Sequence, residues 1–390
     1  MPVLLALAAA LLLPWSTAQG AAPAVKVGVI VSRTGEARTA GAAQSLAATG
    51  WADFARAGRG LVTATSVEVV DDAGSPTRAA ELARDLADDG AWALVCCTTP
   101  AATAAVRDVA EELGLLLLAL SDPAPLELAT RGPSYWTFGL WPSEADALAA
   151  VVADALAEGR GTFALMTTAD GYGEAVASTL GSLLGYAGMR LVHEERFATG
   201  TDELRPEALV VATNQPGAVA VWAPGPDTAV AVAALRARGY EGLVYARSAL
   251  VAPGGPRLTA ATYEDVRFAV PPAYVADDLP ASHACSAEVA GVAERVAQLY
   301  GGVADLPAAA GVVDALDLIA AALEQLYVLQ VPLDSPLPVL RQALRDAAVG
   351  LPPRCGGSGA LDLQEGRPSA VVPGSLVAAE VGPRGDLRLP

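Results

Sequence analysis

From Val25 onward, short β-branched apolar runs alternate with longer alanine-rich stretches whose apolar positions recur at three- and four-residue spacing. These are the periods of buried strands and of amphipathic helices. The pattern predicts strands over 25–31, 66–70, 92–96 and 115–120, with helices over 41–57, 75–90 and 101–113 between them. Ser75 and Pro76 start one helix with a capping hydroxyl and a first-turn proline, and Gly114 ends another. After Trp141 and Pro142 the rhythm restarts. Helices are predicted over 143–158, 173–187 and 227–238, and strands over 162–166, 190–197, 218–222 and 243–245. Strands apolar throughout and separated by helices indicate parallel sheets covered on both faces. Two α/β units of comparable size result, with crossings at 133–142 and at Val270, Pro271 and Pro272. The later helices, 286–300 and 309–329, have no strands of their own, and we assign them to the first unit.

The first twenty residues differ in kind. Leu4 to Leu13 is an unbroken leucine and alanine run, followed by Pro14 and small residues at Ser16, Thr17 and Ala18. That run is too short for a bilayer and fits the apolar region of a secretory signal, so 1–18 is expected to be a signal peptide. No basic residue precedes the run. We expect an exported protein, periplasmic or secreted.

Composition narrows the functions. With 390 residues, 53% of them hydrophobic and 17% charged, the chain has material for two or three packed domains and is not a disordered one. Forty-three acidic residues against 25 basic ones leave a formal charge of -18. Such a surface repels phosphate backbones, so no nucleic acid is expected as a partner. Four cysteines in an oxidising compartment invite pairing. Cys285 and Cys355 sit in loop-like sequence and are expected to form a disulfide, whereas the adjacent Cys96 and Cys97 end an apolar strand and read as buried thiols rather than a strained vicinal bond. No CxxC spacing exists and His193 and His283 lie apart from any cysteine pair, so neither a metal nor a cofactor is expected.

Enzyme signatures are missing. Neither GxGxxG nor GxxxxGK[ST] occurs, and residues 356–359 lack the second glycine of GxSxG. Two histidines leave little for a catalytic triad, and in so acidic a chain the Asp71–Asp72 and Asp277–Asp278 pairs read as solvated turns. We expect no catalysis. What remain are the loops at the carboxyl ends of parallel strands, where open α/β sheets place ligands. Thr98, Thr99 and Pro100 put hydroxyls and N–H groups at a helix start, an arrangement that receives a carboxylate or simply caps the helix. Arg247, at a later strand end, either meets a ligand anion or points outward.

These loops, in this order, resemble the branched-chain amino-acid type of periplasmic binding protein, the type I solute receptors of ABC transporters. The likeness runs through VGVIV at 27–31, VVDDAGSPTRA at 69–79, LARDLADDG at 82–90, EELG at 111–114, DGYGEA at 170–175 and GVVDALDLIAAAL at 311–323. It implies a two-lobed α/β fold, each lobe a mostly parallel sheet flanked by helices, with the ligand in the cleft between them. On this reading 24–140 and 272–350 form lobe 1, and 141–271 and 351–385 form lobe 2. The family's carboxylate-holding turns fall at Thr98 to Pro100 and at Ser121 to Ala124, each hydroxyl able to donate a hydrogen bond, and its ligand-covering aromatic falls at Tyr172. The family's acid for a ligand ammonium aligns with Ser248, and aromatic cleft walls align near Ala40 and near Pro224 and Gly225. Asp122 either replaces the lost acid or is a turn residue before Pro123. The resemblance implies a monomer that binds a small molecule and delivers it to an ABC permease. The rivals are a sensor that presents the ligand to a receptor, and an exported hydrolase using Asp122 and Asp170.

Overall fold

Strand β1 (Val25–Val31) is the axis of the first unit, apolar and almost wholly buried. A computed structural model describes residues 25–390 except 56–61, 63, 123–133, 225, 252–262, 264–265, 301–304, 368 and 384. The expected signal peptide, and Pro123, Ala124 and Gly225, lie outside the described residues. Around β1, in parallel, stand β2 (Thr65–Asp71), β3 (Ala91–Cys96), β4 (Leu116–Ala119) and β5 (Thr137–Gly139), in the order β2-β1-β3-β4-β5. The linking helices are α1 (Arg38–Ala55), α2 (Pro76–Asp88) and α3 (Pro100–Leu113). Ser75 caps α2 by accepting from the Arg78 N–H, with Pro76 in the first turn, and Gly114 closes α3 in the left-handed conformation at φ 67.

The second unit repeats the plan. Strands β6 (Thr162–Thr168), β7 (Arg190–Phe197), β8 (Ala218–Trp222), β9 (Leu243–Ala246) and β10 (Val266–Val270) run parallel in the order β7-β6-β8-β9-β10. β13 (Val377–Val381) and β14 (Leu387–Arg388) extend that sheet antiparallel beyond β10. Helices α4 (Glu144–Ala157), α5 (Gly171–Tyr186), α6 (Arg205–Thr213) and α7 (Asp227–Ala237) accompany it. β5, α6 and β10 escape the sequence pattern, because they are short or flanked by polar residues.

The later helices are α8 (Ser286–Tyr300), α9 (Leu306–Val328) and α10 (Leu337–Val349), the last not foreseen. α9 is long and apolar enough to cross a membrane by composition, yet Val312, Leu316, Ile319 and Leu323 are buried in one hydrophobic cluster with Val27, Val29 and Val31 of β1. That is why a helix without strands of its own belongs to the first sheet. Of the segment 351–385, expected in lobe 2, only β13 lies in the second sheet, which β14 extends further. The hairpin β11 (Arg354–Gly356) and β12 (Gly359–Leu361) carries Leu361 into the first sheet's cluster, together with Leu363, Ala370 and Val371.

Cys285 and Cys355 are joined by a disulfide with an S–S distance of 2.03 Å, tying the start of α8 to β11. Cys96 ends the apolar strand β3 and Cys97 follows it. Both are buried, as expected, and a cis peptide bond between them brings their sulfurs side by side.

Candidate functional site

The chain crosses from one carboxyl edge to the other within a few residues. β5 ends at Gly139 on the carboxyl edge of the first sheet, and α4 starts at Glu144 against the strand ends of the second. Five residues span at most about 17 Å. The return crossing is as short: β10 ends at Val270, and Ala273 already lies in the first sheet's hydrophobic cluster with its N–H donating to Gly357 O. Trp141 and Tyr274, one from each crossing, meet edge to face with centroids 6.0 Å apart. The two carboxyl edges are therefore neighbours, and the described candidate residues lie along the crevice between them.

In each sheet the strand order reverses once, beside β1 and beside β6, and there the loops diverge and leave a hollow. At the first reversal, Ser32 follows β1 and its N–H donates to Thr98 Oγ1 at 2.9 Å. The Thr98 hydroxyl in turn donates to Gln44 Oε1 at 2.6 Å, all three residues being buried. Its only proton is spent on Gln44, which corrects the expectation that Thr98 donates to a ligand. Thr99 caps α3 by accepting from the Ala102 N–H at 3.4 Å, which leaves its own O–H proton available. Pro100 is exposed and carries no N–H, so it contributes shape and a fixed helix start rather than a donor. The Ser121 hydroxyl lies 2.7 Å from Thr103 Oγ1, which also accepts from the Cys97 N–H. Asp122 is buried beside it.

A carboxylate that sequence reading took for a solvated turn is also here. Asp72 is buried, its Oδ1 accepting from the Ser32 hydroxyl at 2.7 Å and from the Gly74 N–H at 2.8 Å, while its buried Oδ2 accepts no hydrogen bond. Its neighbour Asp71 is pushed up by burial, but the N–H of Ala73 and the hydroxyl and N–H of Thr34 outweigh this and hold it below the ordinary value.

The second reversal has different chemistry. Thr167 Oγ1 donates to Trp222 O at 2.7 Å, spanning β6 and β8 as Thr98 spans the other pair of loops. Asp170 caps α5, and the Gly173 N–H, with the Thr168 hydroxyl, keeps its carboxyl below the ordinary value. Gly173 is required there: a Cβ on it would lie 1.8 Å from Thr168 O. Gly41 in α1 is its counterpart, 2.0 Å from Ser32 O. These contacts press each helix onto the end of the strand before it.

Tyr172, in the first turn of α5, is buried and lies under a cation: Arg247 Cζ is 5.2 Å from its ring centroid. Arg247 points inward, its Nε donating to Glu144 Oε1 at 2.5 Å. The other oxygen, Oε2, accepts from the Trp222 indole N–H at 2.5 Å. Ser248 is buried, its hydroxyl donating to Ala269 O at 2.6 Å. Glu144 and Trp222 were missed in sequence reading. Nothing in the sequence separates Glu144 from other first-turn acids, because its partners come from strand ends about 80 and 100 positions away.

The histidines lie elsewhere. His193 meets Glu195 at 2.9 Å on β7, and His283 is half-buried with Nε2 3.1 Å from Ser375 O. A cavity of about 470 Å³ lies between α8, α9 and the β11–β12 hairpin, away from the strand ends. Among its charged groups, Asp317 holds Arg295 and Trp51, and Asp314 holds the hairpin turn through the Gly357 and Ser358 N–H groups. Among the described residues no group of three or more His, Cys, Asp or Glu is placed to hold a metal ion.

With two lobes, short crossings between them and paired carboxyl edges in view, comparison with known proteins is direct. The sequence family described as periplasmic binding protein matches residues 24–351. The chain belongs to that family. Solved periplasmic-binding structures agree over nearly the whole chain. An extracellular ligand-binding receptor from Rhodopseudomonas palustris HaA2 superposes with a TM-score of 0.68 at 21% identity, covering 94% of this chain and 99% of that one. A putative branched-chain amino acid ABC transporter from Rhodospirillum rubrum gives 0.64 at 22%, covering 94% and 100%. An ABC transporter substrate-binding protein from Desulfitobacterium hafniense, in complex with Leu, gives 0.67 at 18%, covering 93% and 99%. Among curated proteins none matches. As a periplasmic binding protein the chain binds a ligand and has its place outside the cytoplasm.

Proposed function

We propose that this protein captures a small carboxylate or amide without a free α-amino group in the crevice between its lobes, and hands it to an ABC permease without chemical change. The observation that carries this reading is the abutment of the two carboxyl edges across crossings of about five residues or fewer, which lets the lobes hinge about 140–143, 270–273 and 372–376. Ligand would shift the population toward the closed form by binding it better than the open one. In lobe 1 the α3 start offers the Thr99 hydroxyl and first-turn amides to a carboxylate, with Ser121 beside it. In lobe 2 the carboxylate at the strand ends, Glu144, is already matched by Arg247, and Ser248 carries no charge. Tyr172 presents its ring as the cover.

Calorimetric titration with 4-methylpentanoate and 3-methylbutanoate, set against leucine and valine, tests this. Binding of the deaminated acids is expected. Micromolar or tighter binding of the amino acids with none for the analogues would reject the ligand class. Asp72 favours that second reading, because its buried Oδ2 accepts no hydrogen bond and would suit an ammonium, as would Asp122. Loss of amino-acid binding in Asp72→Asn would then identify the acid. A fall in the ligand's concentration through turnover would reject the non-enzymatic reading.

A further inference from the structure

We infer that Arg247 is a cation supplied by the chain itself to a carboxylate that would otherwise recruit an amine, so that the Glu144–Arg247 pair sets the crevice against amines. The inference builds on the crevice of the proposed function. Glu144 is the first residue of α4, immediately after the first crossing, and its side chain keeps 7% of its exposure. A carboxylate this deeply buried needs compensation, since an unpaired charge in such surroundings is far costlier than a paired one. The Arg247 guanidinium and the Trp222 indole N–H contribute to it, one on each carboxylate oxygen. Both come from carboxyl ends of strands, β9 and β8, so the carboxylate lies on the ligand-facing edge and not in the interior of the sheet.

The arrangement is that of a site for an organic cation. The carboxylate is held by an indole donor, and an aromatic face, Tyr172, stands 5.2 Å from the cation it accompanies. The cation is covalently part of the chain. An incoming ammonium would have to displace the guanidinium from both Glu144 and the Tyr172 ring, whereas a ligand without one leaves the pair intact. Position 247 is therefore a specificity-determining residue that acts through Glu144. Truncating it should leave a carboxylate, an indole donor and an aromatic wall around a space open to a small cation.

The test needs no knowledge of the natural ligand. Arg247→Ala, Glu144→Gln/Arg247→Ala and the unsubstituted protein are melted in increasing methylammonium chloride, with sodium chloride at matched ionic strength as reference. Arg247→Ala should melt lower than the parent and regain about 2–4 °C in a saturable way with methylammonium. The parent and the double variant should show no such rise. No saturable rise in Arg247→Ala, or an equal rise in the double variant, would overturn the inference. If Arg247→Ala is not recovered folded, refolding yield in methylammonium against sodium chloride is the readout, and equal yields overturn it. Failure of the carboxylate titrations would reject the ligand class above and leave this outcome standing, so the two failures are distinct.

Discussion

The two crevice edges share strand order and differ in chemistry. Both reverse beside their first strand, both bridge the reversal with a threonine hydroxyl, and both press a glycine of the next helix onto a strand-end carbonyl. In lobe 1 most of the groups around the reversal are neutral: Ser32, Gln44, Thr98, Thr103 and Ser121 satisfy one another and hold loop backbone in place. In lobe 2 the same location holds a buried ion pair wedged between Tyr172 and Trp222. A neutral network can give up a partner for the cost of one unsatisfied group, whereas a charged pair stands or falls together. Lobe 1 is thus built to offer donors, and lobe 2 to fix a wall of defined charge.

The sharpest way to break this contrast is to unpair lobe 2. Arg247→Met leaves Glu144 buried without its cation and should lower the unfolding free energy by about 3–5 kcal/mol. Glu144→Leu/Arg247→Met, which removes both charges, should recover most of it. Denaturant unfolding of the four proteins in the cycle measures the coupling, and additive losses would show that the pair is not a unit.

Besides Asp72 and Asp122 at its crevice edge, lobe 1 buries a carboxyl away from the crevice. Asp314 in α9 is raised to about 6 from 3.8 by burial, against the opposing pull of the Ser358 and Gly357 N–H groups. Folding therefore favours its protonated form. The stability it contributes is fully present below its unfolded value of 3.8 and is lost as pH rises through about 6. About two units correspond to about 3 kcal/mol. Asp314→Asn lacks this dependence, so the parent's stability relative to the variant should fall by about that amount between pH 4 and pH 8. Parallel unfolding curves across that range would contradict the assignment.

A smaller loss is expected within the neutral network. Thr98→Val strips the acceptor from the Ser32 N–H and the donor from Gln44, which should cost about 1–3 kcal/mol. Chemical denaturation measures it, and a loss matching that of Arg247→Met would erase the contrast between the edges. Smallest is Thr99→Ala, which removes the α3 cap for about 1 kcal/mol. Its sharper readout is binding: affinity for 4-methylpentanoate should fall more than stability does, because the Thr99 O–H is the side-chain proton left available at that helix start.

Much of the fold was legible because its strands are apolar on both faces and its helices carry caps. β1 and β7 coincide with the residues expected, and most other expected elements start and end within a few residues of the prediction. Most of the strands lost to sequence reading are short: β5 has three residues, and β11, β12 and β14 no more, while β10 and β13 have five each. Their strand character comes from a neighbour's hydrogen bonds, which no local signal carries.

The site divides in the same way. That the candidate loops follow β3, β6 and β9 is set by the order of apolar runs and glycines, so Thr98, Thr99, Tyr172 and Arg247 could be named from the sequence. Which of their atoms remain for a ligand depends on partners distant along the chain. Gln44 takes the Thr98 proton from 54 positions away, and Glu144 turns Arg247 inward from 103. Periodicity fixes which side of an element is buried, because that depends only on residues a turn or a pleat apart. The pairing of hydroxyls and charges depends on which loops the sheet order brings together, and only the tertiary structure decides that.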